Sequence, residues 1–235
     1  MRNIFTLLLI LACPAALADD INWIVSGRLT AGYAYMDNSS HGGTLGTGTR
    51  IGNFVDGELT DRNVDDATNG IGIALGRQFG NWRVESELTW RYRSDWDLSA
   101  PSPAINTVTN LFTNFSTTTL LFSGIYEGRL GQHWTWEAGA GAGVAMKVMD
   151  GEFIERGVQT DGTDFVANDT RARLDLAWQA LIGVSRRLGD HWTANLRYRY
   201  ADLGELRIGP YPQRPAHLHA DLSLHELVLG FDRSL

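Results

Sequence analysis

A few residue groups have side chains that could do chemistry. Ser223, His225 and Glu226 bring a hydroxyl, an imidazole and a carboxylate close together in sequence, the ingredients of a nucleophilic hydrolase. A catalytic trio must converge on one point, yet a regular strand sends His225 and Glu226 to opposite faces, and Ser223 and Glu226 likewise. His217-x-His219 supplies two imidazoles without a third ligand, which falls short of a zinc site. Asp61, Asp65 and Asp66 lack the ordered oxygen spacing of a calcium loop and read as solvated carboxylates. His133 and His191 fall in glycine-containing turns, where solvation accounts for them. No catalytic residue, metal ligand or cofactor is assigned, and the chain reads as a non-enzyme.

The remaining group is larger. Arg28, Arg83, Arg91, Arg93, Arg129, Lys147, Arg173, Arg187, Arg197 and Arg199 alternate with apolar neighbours, as do Glu85, Glu87, Glu127, Glu137, Asp175, Glu226 and Asp232. Enclosed together, these charges would pair into a network that fills and stiffens an interior. The alternative is a narrow ion path whose cationic surplus favours anions. Only Lys147 is a lysine, against nineteen arginines. The planar, bidentate guanidinium suits buried pairs better than a solvated exterior does.

Strands must hold these charges. Three short devices punctuate the chain: Phe79-Gly80-Asn81-Trp82, Leu130-Gly131-Gln132-His133-Trp134 and Leu188-Gly189-Asp190-His191-Trp192. Glycine and Asn or Asp reach positive φ cheaply, so each device reads as a tight hairpin turn. After the first, Trp82, Val84, Leu88, Trp90 and Tyr92 alternate with Arg83, Glu85, Glu87, Thr89 and Arg91; after the third, Trp192, Ala194, Leu196, Tyr198 and Tyr200 alternate with Asn195, Arg197 and Arg199. Period two is the mark of a strand with one apolar and one charged face.

Eight such strands are read: about 21–36, 70–79, 82–94, 114–130, 134–148, 173–187, 192–202 and a last one closing the chain. In the fourth, Leu121 and Ile125 interrupt the alternation. Asp37–Asn69, Asp95–Thr113, Asp150–Thr170 and Leu203–Ala220 read as four long polar loops, the first with room for a short hairpin over 51–59. Short and long connections therefore alternate strictly, as in an up-and-down transmembrane barrel with periplasmic turns and extracellular loops.

Residues 1–18 read as a signal peptide, with Arg2, the apolar run Ile4–Ala12 and Ala16-Leu17-Ala18 as the cleavage pattern, leaving 19–235 as the barrel. A rival reading, lipidation at Cys13, is disfavoured by Leu11 and Pro14. Cleavage removes the single cysteine, so disulfides contribute nothing. The formal charge of −7 gives no reason to expect nucleic acid. A soluble lipocalin-type barrel would share the period with its apolar face inside. Against it stand the glycine- and arginine-rich polar face, export, and two aromatic belts: Trp82, Trp134, Trp136 and Trp192 at the turn end, and Tyr33, Tyr35, Trp90, Tyr92, Tyr198 and Tyr200 toward the loops.

With its eight strands, G-x-W turns, Tyr198-Arg199-Tyr200-Ala201-Asp202-Leu203-Gly204 segment and final strand at the chain end, the sequence resembles the OmpA-like, opacity-type outer-membrane β-barrel proteins over Asp19–Leu235. The resemblance implies an all-β, eight-stranded antiparallel barrel in the bacterial outer membrane. The implied function is that of a non-catalytic envelope-structural, adhesion or antigen protein recognising host or surface ligands through its loops. A narrow porin-like channel is the alternative and a lipid-modifying enzyme a third reading. The late-strand His-x-Ser of lipid A deacylases on this scaffold has no counterpart here. Implied partners are outer-membrane lipid, lipopolysaccharide and the barrel-assembly machinery. The last would read the C-terminal strand, which carries Gly230 but ends in Leu235 rather than Phe, with Arg233 where an apolar residue is usual.

Overall fold

The structure, a computed structural model, describes residues 23–42, 59, 62–102, 107–156, 162–212 and 217–235. The signal peptide, the Cys13 of the rival lipidation reading and nearly all of the 51–59 hairpin lie outside these residues. Eight antiparallel strands follow in chain order: β1 (Trp23–Gly42), β2 (Val64–Phe79), β3 (Trp82–Ser102), β4 (Thr107–Leu130), β5 (Trp134–Glu155), β6 (Phe165–Arg187), β7 (Trp192–Ile208) and β8 (His217–Ser234). Each pairs with the next, and β8 pairs back with β1, closing a barrel. Closure leaves no unpaired edge, a requirement for a sheet whose outer surface meets lipid.

The strands are built on the alternation described above, and the outward face is apolar over about half their length. Ile73 and Leu174 are each 65% exposed and Leu176 is 84% exposed, values that only a non-aqueous surrounding makes stable. From Trp23 to Tyr33 and from Trp82 to Tyr92 this face spans eleven residues, the length a tilted strand needs to cross a bilayer.

The strands are much longer than that, at 16 to 24 residues. Much of the four stretches that read as polar loops is strand. β3 runs on to Ser102 and β4 begins at Thr107; β5 extends to Glu155, β7 to Ile208, and β2 begins at Val64. The barrel thus projects roughly 20–25 Å past the outer aromatic belt, at about 3.3 Å per residue and the usual strand tilt. Leu121 and Ile125 do not break the fourth strand; both point inward and are buried.

The turns also differ. Gly80 and Gly131 adopt φ of +59° and +81°, as a tight turn requires. Gly189 does not use a positive φ; the third connection is closed instead by a hydrogen bond from Leu188 N to Trp192 O at 2.8 Å.

Candidate functional site

Alternation along β3 points Arg83, Glu85, Glu87 and Arg91 inward; β7 adds Arg197 and Arg199, β8 adds Glu226 and Asp232, and β1, β4 and β5 add Arg28, Glu127 and Glu137. The pairing is continuous. Arg28 reaches Glu85 at 2.8 Å, Asp232 at 2.9 Å and Glu87 at 3.8 Å. Arg83 joins Asp232 at 2.9 Å, Glu137 at 3.1 Å and Glu127 at 3.3 Å. Arg197 bridges Glu137 at 2.7 Å and Glu85 at 3.3 Å. Above them Glu226 receives Arg91 at 2.7 Å and Arg199 at 2.8 Å, and Arg199 also donates to Glu87. Five guanidinium groups face six carboxylates, and Thr89, Thr119, Gln179 and Ser123 add hydrogen bonds around them. The close fit favours Gly230, where a Cβ would stand 2.1 Å from Arg28 Nη1 and 2.4 Å from Asn195 Oδ1 and would displace those side-chain ends.

Six expected members stand elsewhere. Arg93 is exposed on the outside beside Asp95, at 3.6 Å, because a β-bulge between Arg91 and Ser94 inserts a residue and reverses which positions face inward. Arg129 is exposed at the turn-side mouth of the barrel, as is Arg187. Arg173 and Asp175 form a separate group with Lys147 and Glu205: Lys147–Asp175 at 2.6 Å, Arg173–Asp175 at 2.9 Å and Arg173–Glu205 at 2.8 Å. Lys147 Nζ also donates to the carbonyls of Leu203 and Glu205, both at 2.7 Å. Those carbonyls flank a second bulge, where Gly204 has φ +75°, so the single lysine satisfies backbone that the bulge releases.

Sequence reasoning missed what lies beyond. Past the outer belt the interior is apolar: Trp96 and Leu98 from β3, Leu111 and Phe115 from β4, Met149 and Phe153 from β5, Leu206 and Ile208 from β7, and Leu218, Leu222 and Leu224 from β8 form one buried cluster. Tyr211 closes it, its ring 5.3 Å from that of Phe153. Burial pushes the Tyr211 hydroxyl pKa well up. The alternation Leu218-x-Ala220-x-Leu222-x-Leu224 is the available signal, and its first half falls in the Leu203–Ala220 stretch that reads as loop.

The residues with catalytic or ligating types are scattered. Glu226 is inside with its two arginines, whereas His225 is on the outside, its Nδ1 hydrogen-bonded to the Tyr198 hydroxyl and its ring 5.1 Å from those of Tyr35 and Tyr200. His219 meets Ser40, and His217 stacks on His219. Among the described residues no three His, Cys, Asp or Glu side chains gather as a metal site. A shallow outer groove lies across β4, β5 and β6 beyond the belt, lined by Phe112, Asn114, Asp150, Glu152, Asn168 and Thr170.

A family model described as an outer membrane protein beta-barrel domain matches residues 5–234. No curated protein matches the chain. Similar solved structures include Neisserial surface protein A (12% identity, 90% of this chain and 96% of that one, TM-score 0.39). Others are Ail, the attachment invasion locus protein of Yersinia pestis, in complex with the heparin analogue sucrose octasulfate (13%, 90% and 99%, 0.35), and OprG from Pseudomonas aeruginosa (15%, 89% and 95%, 0.45).

Proposed function

The chain belongs to the family of outer membrane protein beta-barrel domains, and from that premise we propose that it is a sealed, non-catalytic surface barrel rather than a pore. Its place is the bacterial outer membrane. One observation carries the reading: the lumen is filled twice, by ion pairs at the height of the apolar belt and by an apolar core above them. An ion crossing would have to part buried guanidinium–carboxylate pairs and then dewetted side chains, each a barrier on its own. The separation of Glu226 from Ser223 and His225 by the thickness of the sheet supports the absence of hydrolytic chemistry.

In this reading residues 1–18 direct export and are removed, and 19–235 fold as the barrel. β8 is the strand that assembly machinery reads. Lipid and lipopolysaccharide surround the outward face. Recognition of host or surface ligands belongs to the projecting outer end, whose strands hold it well clear of the headgroups.

Single-channel recording in planar bilayers tests the seal. The expected result is no steady conductance from the wild type. Steady conductance that rises when Trp96 is replaced by Ala would overturn it in favour of a narrow pore.

A further inference from the structure

Three arginines on the lipid-facing side belong to none of the ion pairs described above. Arg77 on β2, Arg186 on β6 and Arg233 on β8 lie on the outer face, at the end of the apolar belt that carries the short turns. Each guanidinium rests on an aromatic ring. Arg77 Cζ is 4.8 Å from the Phe79 ring centroid and 6.0 Å from that of Trp23; Arg186 is 5.5 Å from Trp134, and Arg233 is 5.7 Å from Trp192. The indoles are cross-strand partners of the arginines in the sheet register: Trp23 with Arg77, Trp134 with Arg186 and Trp192 with Arg233. The backbone therefore imposes the arrangement at three places around the barrel.

Among the described residues none of the three has a carboxylate partner, whereas at the opposite end Arg93, Arg156, Arg171 and Arg173 each have one. Exposed carboxylates gather at that opposite end, among them Asp65, Asp95, Asp97 and Asp150. The turn-side rim thus carries unpaired positive charge just where an aromatic belt meets the headgroup layer. A guanidinium held near a ring by cation–π attraction still has N–H groups to offer, and their fork matches the paired oxygens of a phosphate. A zwitterionic lipid neutralises its own phosphate; an anionic one does not.

We propose that the Arg77, Arg186 and Arg233 aromatic pairs form a collar that docks the headgroups of anionic phospholipids in the leaflet facing the short turns. The collar makes the barrel selective for its boundary lipid on that side, and it is independent of any ligand at the outer end.

The test uses the folded full-length barrel in phosphatidylcholine bilayers, with spin-labelled phosphatidylglycerol or spin-labelled phosphatidylcholine as probe. The motionally restricted fraction gives their relative association. The wild type is expected to prefer phosphatidylglycerol about threefold, with the preference shrinking as salt screens it. Combining Arg77→Gln, Arg186→Gln and Arg233→Gln should bring the ratio to about one, while Arg207→Gln at the outer end leaves it unchanged. Equal association of both probes with the wild type would overturn the proposal, as would a preference that survives the triple substitution. Should the triple variant fail to show heat-modifiable gel mobility, the salt titration of the wild type decides. A preference lost in high salt supports the collar, and one indifferent to salt sinks it.

Discussion

The turn-side half of the barrel and the half beyond the outer aromatic belt share eight strands and have opposite interiors. β8 shows the change without any irregularity. Its inward positions run Asp232, Gly230, Val228 and Glu226, then Leu224, Leu222, Ala220 and Leu218; its outward positions run Phe231, Leu229 and Leu227, then His225, Ser223 and Asp221. β3 reaches the same end differently. Its even-numbered positions stay largely apolar from Trp82 to Ala100, and the bulge after Arg91 turns them from the lipid side to the inside. A β-sheet has no intrinsic inside: apolar side chains go wherever water is not. Within the bilayer the dry side is the exterior, and above it the dry side is the lumen. Two of the three bulges carry a residue at positive φ, Asn38 in β1 and Gly204 in β7, and the bulges mark the level where one rule gives way to the other.

The comparison breaks first at Glu226. This carboxylate holds both Arg91 and Arg199, and all three side chains are buried in the lumen. Glu226→Ala leaves two buried guanidinium groups short of a partner, and such losses destabilise by about 3–5 kcal/mol. The urea midpoint of heat-modifiable mobility should fall accordingly for the whole barrel. A loss below about 1 kcal/mol would mean that the charged half is a filler and not a fastening.

The next largest effect belongs to the other half. Leu222 is buried in the apolar core of the projecting end. Leu222→Ala should remove about 2–4 kcal/mol through lost burial and the cavity left behind. The consequence should be local, since water already bathes this end. Limited proteolysis in bilayers is expected to trim the projecting strands while the membrane-spanning part keeps its folded mobility. Cooperative loss of both halves would show that they are one folding unit.

How much of this was legible in the sequence follows the same division. The membrane half announces itself because each strand has one face of Leu, Ile, Val and Trp and another of Arg, Glu and Gly, with belts marking both ends. Arg28, Arg197, Arg199, Glu85 and Glu226 come together in the lumen because nothing shifts their register. The projecting half reads as loop because its outward face is Asp, Asn and Thr, and its inward face contains small or isolated apolar residues that look like noise beside Pro101 and Pro103. Arg93 shows the second obstacle. One inserted residue exchanges the two faces, and no residue type in Arg91-Tyr92-Arg93-Ser94 demands it. Leu121 and Ile125 looked like errors of alternation only while the interior was assumed to be wholly polar.

The smallest effect has the opposite sign from that at Glu226. Asp97 lies on the outside of the projecting part of β3, and its carboxyl pKa is raised, first by partial burial and then by the neighbouring Asp95 charge, against a backbone hydrogen bond from Thr113 that lowers it. A carboxyl whose folded pKa exceeds its unfolded one favours folding while protonated. Its contribution is present below the unfolded pKa and is lost as pH rises through the folded pKa. At neutral pH the charge at Asp97 therefore opposes the fold, though solvent screening keeps the effect to a few tenths of a kcal/mol. Asp97→Asn should raise the urea midpoint slightly at pH 7 and leave it unchanged near pH 3. Removal of a carboxylate then stabilises one half of the barrel and destabilises the other. If Asp97→Asn weakens the protein at pH 7, the outer face is held by its acidic residues rather than strained by them, and the contrast between the halves rests on their interiors alone.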